Sequence, residues 1–351
     1  MDIVTFNSEA INWKRGLWTT LVLFGALAVI IFFKLPLALW AGAGGLAVGL
    51  VYFDAPLKDR LKFALEITII GAIMLAFMLA LAGMPPAVSP VQSALVLAIA
   101  IFAIGIMQSL GGPWIIVGFL LGILAYQAVL AANAAIYPAG TSAISYLIGG
   151  LIATGVVWVL HALFGEPHVD VEIKSLENVP ARTLKRLNPT NYWFQFALVR
   201  AIAVFIAVWI GLTYFGSRWL WLSIIPFILI TPAWPLTMLS TVRRLVGNLI
   251  GFAIMGVIGL LIAPNMTIDL VLFLIATFIA FSFIGTGTVP MVVVWTVWAL
   301  AMERLVNPQP FLSDIIGTRF LAIAIGAVIA LVAAWILTKL RKARVQDDGT
   351  D

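Results

Sequence analysis

Long uninterrupted runs of apolar residues recur along the chain, separated by short polar segments. A helix needs about 20 apolar residues to cross a hydrocarbon layer about 30 Å thick, so runs of this length predict membrane-spanning helices. The pattern predicts twelve spans. They cover residues 16–33, 36–53, 61–83, 91–110, 113–132, 142–164, 193–216, 219–240, 245–263, 267–286, 289–306 and 314–338.

The composition excludes a soluble globular protein. Of the 351 residues, 63% are apolar and only 10% are charged, whereas soluble domains are about half apolar and about a quarter charged. The net charge of +5 comes without a basic run on a soluble surface, so no nucleic-acid partner is expected. The chain has no cysteine, its histidines are His161 and His168, and it has no phosphate-binding glycine loop, so neither a metal nor a cofactor is predicted.

Most Lys and Arg residues fall in the loops on one side of these spans, among them Lys14, Lys58, Lys174, Arg243 and Lys339. Basic residues concentrate in cytoplasmic loops, so this side is predicted to face the cytoplasm together with both termini. No cleavage-like site follows the first apolar run. We therefore expect a retained first helix and no signal peptide.

The two halves of the chain resemble each other. Residues 149–160 align with residues 326–337, and the same shift pairs Pro113 with Pro290. We predict an all-α membrane protein of two parallel six-helix repeats around an axis near the membrane normal, with no sizeable soluble domain. The expected boundaries are 1–165 for the first repeat, 166–190 for a cytoplasmic linker, 191–340 for the second repeat and 341–351 for a basic, then acidic, tail.

Ionisable residues inside apolar spans are informative, because each costs about 2.5–3.5 kcal/mol at a helix centre on insertion scales. Arg200 and Arg319 could present a guanidinium group to a passing anion, or could instead form internal salt bridges or reach the interface. Glu66 could carry a proton, although its spacing from Lys62 favours an ordinary helix ion pair. Glu303, near the outer end of its span, is a candidate for proton coupling or for simple interface placement.

The eighth predicted span contains Pro226, Pro232 and Pro235. One regular helix cannot accommodate all three, because each proline removes a backbone donor and crowds the preceding turn. A broken helix here either lines a cavity, as in many transporters, or is a kinked packing helix.

Tryptophans offer stacking surfaces that an aromatic substrate could use. Trp221 lies in the proline-containing span, and Trp295 and Trp298 share one helix face. The alternative is that they pack inside the protein or anchor it at the interface. Gly247 and Gly251, four residues apart, predict close helix packing.

The segment Arg244-Leu-Val-Gly247-Asn-Leu-Ile-Gly251 resembles the signature of the fusaric acid resistance or aromatic acid exporter (FUSC-like) membrane proteins. Arg319 to Gly326 is similar to the arginine-to-glycine pattern of that family's sixth helix, and Arg200 fits the arginine that opens the family's repeat. The resemblance implies two six-helix bundles in the bacterial cytoplasmic membrane, export of small organic acids, and a periplasmic membrane-fusion adaptor as partner. A similar six-helix unit occurs in plant anion channels, which assemble as dimers, so a homo-oligomer is possible.

The first half departs from this pattern. Lys62-Phe-Ala-Leu-Glu66 stands where an Arg-x-x-Gly pattern is expected, and Ser142 stands opposite Arg319, so a ring of arginines would be lopsided.

These observations favour an efflux component that exports small organic anions. Aromatic carboxylic acids are the expected substrates, and export could be coupled to protons. Arg200, Arg319, Arg244, Trp221, Pro226, Pro232, Trp295 and Trp298 are the expected substrate-binding or pore residues. The alternatives are a passive anion channel and a membrane scaffold that does not transport. No catalytic cluster is found, so an enzyme is not expected.

Overall fold

The computed structural model describes most, but not all, of the chain. The described residues are 6–32, 38–49, 56–82, 89–109, 118, 121–126, 128–129, 139–165, 186–215, 219–230, 234–263, 265–284, 286–306 and 313–348. Only the backbone is described at residues 38, 39, 82, 219–221, 234–241, 303, 305–306, 313–320 and 341–348.

The described part of the chain is α-helical apart from a 3₁₀ turn at Ser8–Ala10 and short connections. Further helical residues occur within 118–129. The helices are α1 (Trp13–Phe32), α2 (Ala38–Gly49), α3 (Leu57–Ala82), α4 (Pro90–Gln108), α5 (Ala139–Phe164), α6 (Tyr192–Tyr214), α7 (Trp219–Leu229), α8 (Trp234–Leu261), α9 (Met266–Ser282), α10 (Thr288–Val306) and α11 (Ser313–Asp348).

Local sequence accounts for several helix ends. The Ser89 side chain accepts a hydrogen bond from the Gln92 backbone N–H and so caps α4, whose first residue is a proline. The Asn191 side chain accepts from the Trp193 N–H and caps α6 in the same way. Gly165 follows α5 at φ 75°, a left-handed conformation that favours glycine.

A multi-pass, all-helical membrane protein is confirmed. Within the described residues, seven helices are long and apolar enough to cross a membrane: Ser8–Phe32, Leu57–Leu81, Pro90–Gln108, Ala139–Phe164, Tyr192–Tyr214, Val242–Leu261 and Leu321–Leu340. The described parts of α2 and α7, 12 and 11 residues, measure about 16–18 Å, which is less than the hydrocarbon thickness. The predicted total of twelve spans and the two six-helix repeats stay predictions.

The eighth predicted span, 219–240, is not one helix. Instead, α7 ends at Leu229 and α8 begins at Trp234. Pro226 lies inside α7, whereas Pro235 lies in the first turn of α8, where a proline deletes no helical hydrogen bond. Pro232 falls outside the described residues.

The predicted loop at residues 241–244, between the eighth and ninth spans, is not found, so this prediction is wrong. The helix α8 runs without interruption through Arg243 and Arg244. Arginine is a good helix former, so basic residues mark the edge of a membrane span without ending the helix. For the same reason α11 continues through Lys339 and into the predicted tail.

The contacts between residues divide the chain into two compact units. The small unit consists of Met1–Phe24 and Pro235–Leu321, and the large unit of Gly25–Trp234 and Ala322–Asp351. Each unit contains segments of both predicted repeats.

In the large unit, α5 packs on α2 and α3, and α6 packs on α4 and α7. The core includes Trp40, Leu75, Leu97, Ile101 and Val204, all nearly inaccessible. Close approach of α2 and α5 depends on glycine. A methyl group added at Gly149 would lie 1.9 Å from the carbonyl oxygen of Ala41.

In the small unit, the N-terminal segment binds the turn after α9. The backbone N–H groups of Asn7 and Asn12 donate to the carbonyls of Thr286 and Ser282, and Arg15 Nη1 donates to the carbonyl of Ile284 at 3.3 Å. The start of α1 and the end of α9 therefore lie on the same side of this unit. The predicted topology agrees on this point, because it places both on one face of the membrane.

Gly247 and Gly251 of α8 face α10, as their spacing predicts. An added methyl group at Gly247 would lie 2.8 Å from Val292, and one at Gly251 would lie 2.6 Å from Thr296. The Thr296 hydroxyl also donates a hydrogen bond to Asn248 Oδ1 at 2.7 Å. The glycines of the family-like segment therefore serve close packing of two helices.

We expect Gly149→Ala to destabilise the protein by about 1–3 kcal/mol, because the added methyl group would overlap the α2 backbone. Gly155→Ala on the same helix is the matched control, since an added methyl group there meets nothing within 4 Å. Thermal unfolding of the two purified variants measures the difference. Equal melting temperatures would contradict the α2–α5 packing.

Candidate functional site

Arg200 is a buried cation in the large unit. It lies about 12 Å along α6 from Tyr192, within a helix apolar enough to span the membrane, and it is 4% exposed. A charged group in this position requires compensation from its surroundings.

Among the residues that the structure describes, Gln108, Phe196 and Phe227 contact the Arg200 guanidinium group. Gln108, the last residue of α4, accepts a hydrogen bond from Nη1 through Oε1 at 2.5 Å. The ring centroid of Phe227 on α7 lies 4.2 Å from Cζ, and that of Phe196 on α6 lies 5.7 Å away. Desolvated cation–π contacts of this kind stabilise a buried guanidinium group.

Two helix ends add to this compensation. Gln108 is the final residue of α4, and Phe227 lies in the last turn of α7. The carboxyl end of an α-helix carries about half a negative charge, because its last carbonyls have no helical donor. Both helices therefore favour a cation at Arg200.

Pro226 affects the backbone of α7 next to the Arg200 site. A proline at this position deprives the Leu222 carbonyl of its helical donor and disturbs the turn before it. Gly326 of α11 approaches the Leu222 oxygen so closely that a methyl group there would lie 2.4 Å from it. The Ser223 carbonyl accepts a hydrogen bond from the Tyr126 hydroxyl at 2.6 Å. The Tyr126 hydroxyl thus satisfies one carbonyl of the turn before Pro226, and this hydrogen bond places Tyr126 close to Arg200.

The aromatic rings near Arg200 are tightly held. The rings of Tyr126 and Phe227 meet edge to face with centroids 5.9 Å apart. Gly122 leaves room for the Phe227 ring, since an added methyl group would lie 2.1 Å from it. Phe227 therefore presents a fixed ring face to the guanidinium group.

No carboxylate pairs with Arg200 among the residues that the structure describes, and its Nε has no hydrogen-bond partner there. Around Arg200, the described residues provide the amide of Gln108, the rings of Phe196 and Phe227, and the carboxyl ends of α4 and α7. Its positive charge is stabilised by these dipoles and is not neutralised by them.

A second buried arginine, in the small unit, is neutralised. Arg304 of α10 pairs with Asp269 of α9 through Nε and Oδ1 at 2.6 Å, and both side chains are 2% exposed. Arg304 Nη2 donates to the Ile262 carbonyl at 2.7 Å, and the other Asp269 oxygen accepts from the Asn265 N–H at 3.2 Å. Arg304 lies in the last turn of α10, within the predicted span 289–306. It joins the ends of three helices.

Trp295 and Trp298 pack between α9 and α10. The Trp298 indole N–H donates to the Thr277 hydroxyl at 3.0 Å, and its ring stacks on Phe273 with centroids 6.0 Å apart. Trp295 meets the Phe281 ring at 5.2 Å. These contacts are those expected if the two tryptophans pack inside the protein. A substrate contact at either tryptophan stays a prediction.

The remaining candidate residues are less fully described. Arg244 is half-buried on α8, and Glu66 on α3 is half-buried and interacts electrostatically with Lys62 one turn earlier. The backbones of Trp221, Glu303 and Arg319 are helical, but their side chains lie outside the description. Pro232 lies outside it altogether. Their expected roles stay predictions.

Comparison with known proteins identifies part of the chain. Residues 202–333 match the family model described as fusaric acid resistance protein-like. This segment is FUSC-like. No curated protein and no solved structure matches the chain significantly.

The FUSC-like segment contains most of the residues that the sequence singled out, and Arg200 lies just before it. Two partners of the Arg200 site, Gln108 and Tyr126, lie far outside it. Sequence reasoning missed both, as well as Phe227. The available signals were weak: a glutamine at the end of an apolar run, and one tyrosine in the fifth predicted span.

We expect Arg304→Met to lower stability by about 3–5 kcal/mol, because it leaves Asp269 buried and unpaired. Adding Asp269→Leu should restore most of the loss, since no charge then remains buried. Lys339→Met, at an exposed position, is the control. Denaturant unfolding of the four proteins measures the effect, and a double variant as unstable as Arg304→Met would contradict a neutralised pair.

Proposed function

We propose that this protein is a component of an efflux transporter that moves small organic anions across the bacterial cytoplasmic membrane. The observation that carries the proposal is Arg200, a cation buried in an apolar helix that no carboxylate of the described residues neutralises. Such a group is costly to keep in a membrane and marks a ligand pathway. The FUSC-like segment and the apolar helices support membrane transport.

The rings around Arg200 suit an organic anion. Phe196 and Phe227 offer apolar faces within about 6 Å of the guanidinium group, as a small-molecule site with one charged anchor requires. Aromatic carboxylic acids combine a charge with a flat apolar body, and we propose them as the substrates. Arg319, Arg244, Trp221, Pro232, Trp295 and Trp298 are proposed as further lining residues on the strength of the sequence.

The proposed setting follows from the resemblance and from the distribution of basic residues. We place both termini in the cytoplasm and a membrane-fusion adaptor on the periplasmic side as partner. A homo-oligomer is compatible with this arrangement. Transport, and not enzymatic catalysis, is the proposed activity.

A passive anion channel is the second candidate function. It is favoured by the absence of a carboxylate near Arg200 within the described residues, because a proton-coupled carrier needs a titratable group that responds to the substrate. Glu66 is a proton-carrier candidate, yet Lys62 one turn away gives it an ordinary electrostatic partner.

We expect Arg200→Met to lower counterflow of labelled benzoate in proteoliposomes at least tenfold, because the buried charge that holds the anion is gone. Arg186→Ala, a basic residue before the start of α6, is the control and should transport normally. Wild-type rates in Arg200→Met would contradict the proposal. No flux with the wild-type protein, even after adding its adaptor, would also contradict it.

A pH gradient separates the two candidate functions. If the protein is a passive channel, benzoate flux at a fixed benzoate gradient is unchanged when the pH difference across the vesicle is removed, and Glu66→Gln transports like the wild-type protein. Accumulation of benzoate against its gradient that Glu66→Gln abolishes would establish coupling and exclude the channel.

A further inference from the structure

The Arg200 guanidinium group has five N–H donors in a rigid plane. The hydrogen bond to Gln108 uses one of them, at Nη1. In the part of the chain that the structure describes, neither Nε nor Nη2 has a hydrogen-bond partner, and Nε is fully buried. One edge of the group is therefore left with both of its nitrogens unsatisfied.

That edge has a defined chemistry. Nε and Nη2 direct two parallel N–H groups outward, and their spacing matches the two oxygens of a carboxylate. A buried donor without a partner carries a desolvation penalty that a ligand can relieve. A halide ion has a single centre and cannot reproduce the paired geometry. A neutral amide offers only one acceptor oxygen.

The surroundings determine which two-oxygen anion fits. The described residues of the site supply one positive charge and two aromatic rings, and a second negative charge on a phosphate would be desolvated among them without a partner. A monoanionic carboxylate matches the charge and leaves its apolar body for the rings.

Gln108 fixes the orientation of the edge. Its hydrogen bond holds Nη1 while the Phe227 ring holds the plane of the group. The Gln108 side chain is itself confined, because an added methyl group at Gly118 would lie 2.4 Å from its Cγ. Without the Gln108 acceptor, the Arg200 side-chain torsions would no longer be restrained by this hydrogen bond, and the edge could change its direction.

We propose that the Nε–Nη2 edge of Arg200 binds a single carboxylate through two parallel hydrogen bonds, and that Gln108 is the positioning residue that sets selectivity for carboxylates over halides. This inference rests on the proposed function, since it names the anion and the atoms of the same site.

Binding is tested on the purified full-length protein in detergent by thermal unfolding. The probes are sodium benzoate, sodium chloride at equal ionic strength, and benzamide, which has the same shape without the charge. A ligand that binds only the folded protein raises the melting temperature. We expect a concentration-dependent rise with benzoate and none with chloride or benzamide.

Variants assign the effect to the two residues. Arg200→Lys keeps the positive charge but loses the two parallel N–H groups of the Nε–Nη2 edge. It should therefore weaken benzoate binding about tenfold or more. Gln108→Leu should lose selectivity: benzoate should bind more weakly by a similar factor, and chloride should now raise the melting temperature as well. Gln195→Leu, the same substitution at a half-buried position of α6 outside the site, should change neither.

The outcomes are separable from those of the transport assay. If Arg200→Lys and Gln108→Leu both bind benzoate with wild-type affinity, the inference is overturned. If benzoate counterflow persists in that case, the proposed transport function still stands. If Arg200→Lys fails to fold, Gln108→Leu decides: unchanged selectivity overturns the positioning role. A wild-type protein that neither binds nor transports benzoate overturns both.

Discussion

The buried charge of Arg200 is the constraint that organises its surroundings. A guanidinium group within an apolar helix must exchange water for dipoles of comparable strength. The structure supplies a glutamine oxygen, the face of Phe227 and the carboxyl ends of α4 and α7. These groups stabilise a positive charge without cancelling it. The carboxyl ends of α4 and α7 thereby serve the cation.

The two best-described buried arginines show what distinguishes a structural charge from a functional one. Arg304 has a carboxylate on Nε and a carbonyl on Nη2, so two of its nitrogens are bonded within the protein and its charge is balanced. Arg200 has an amide oxygen on Nη1 and an unsatisfied Nε. Both are nearly inaccessible, at 4% and 2% exposure, so burial alone does not separate them. The two arginines differ in the groups that their guanidinium nitrogens bind.

Sequence patterns predicted the parts of the molecule that depend on local chemistry. The long apolar runs located the helices, the prolines predicted the break between α7 and α8, and Gly247 and Gly251 predicted close packing. Contacts between distant segments could not be read in this way. Gln108 meets Arg200 across 92 residues, and Asp269 meets Arg304 across 35. In an apolar chain, nothing local indicates which polar residue another will face, so the sequence did not predict either pairing.

A density map of the full-length protein bound to 4-iodobenzoate tests the central claim most directly, because the iodine identifies the ligand and its carboxylate can be placed against Arg200. We expect both carboxylate oxygens within hydrogen-bond distance of Nε and Nη2, with Gln108 still on Nη1. A map in which a carboxylate side chain of the protein itself occupies that edge, and the ligand lies elsewhere, would contradict it.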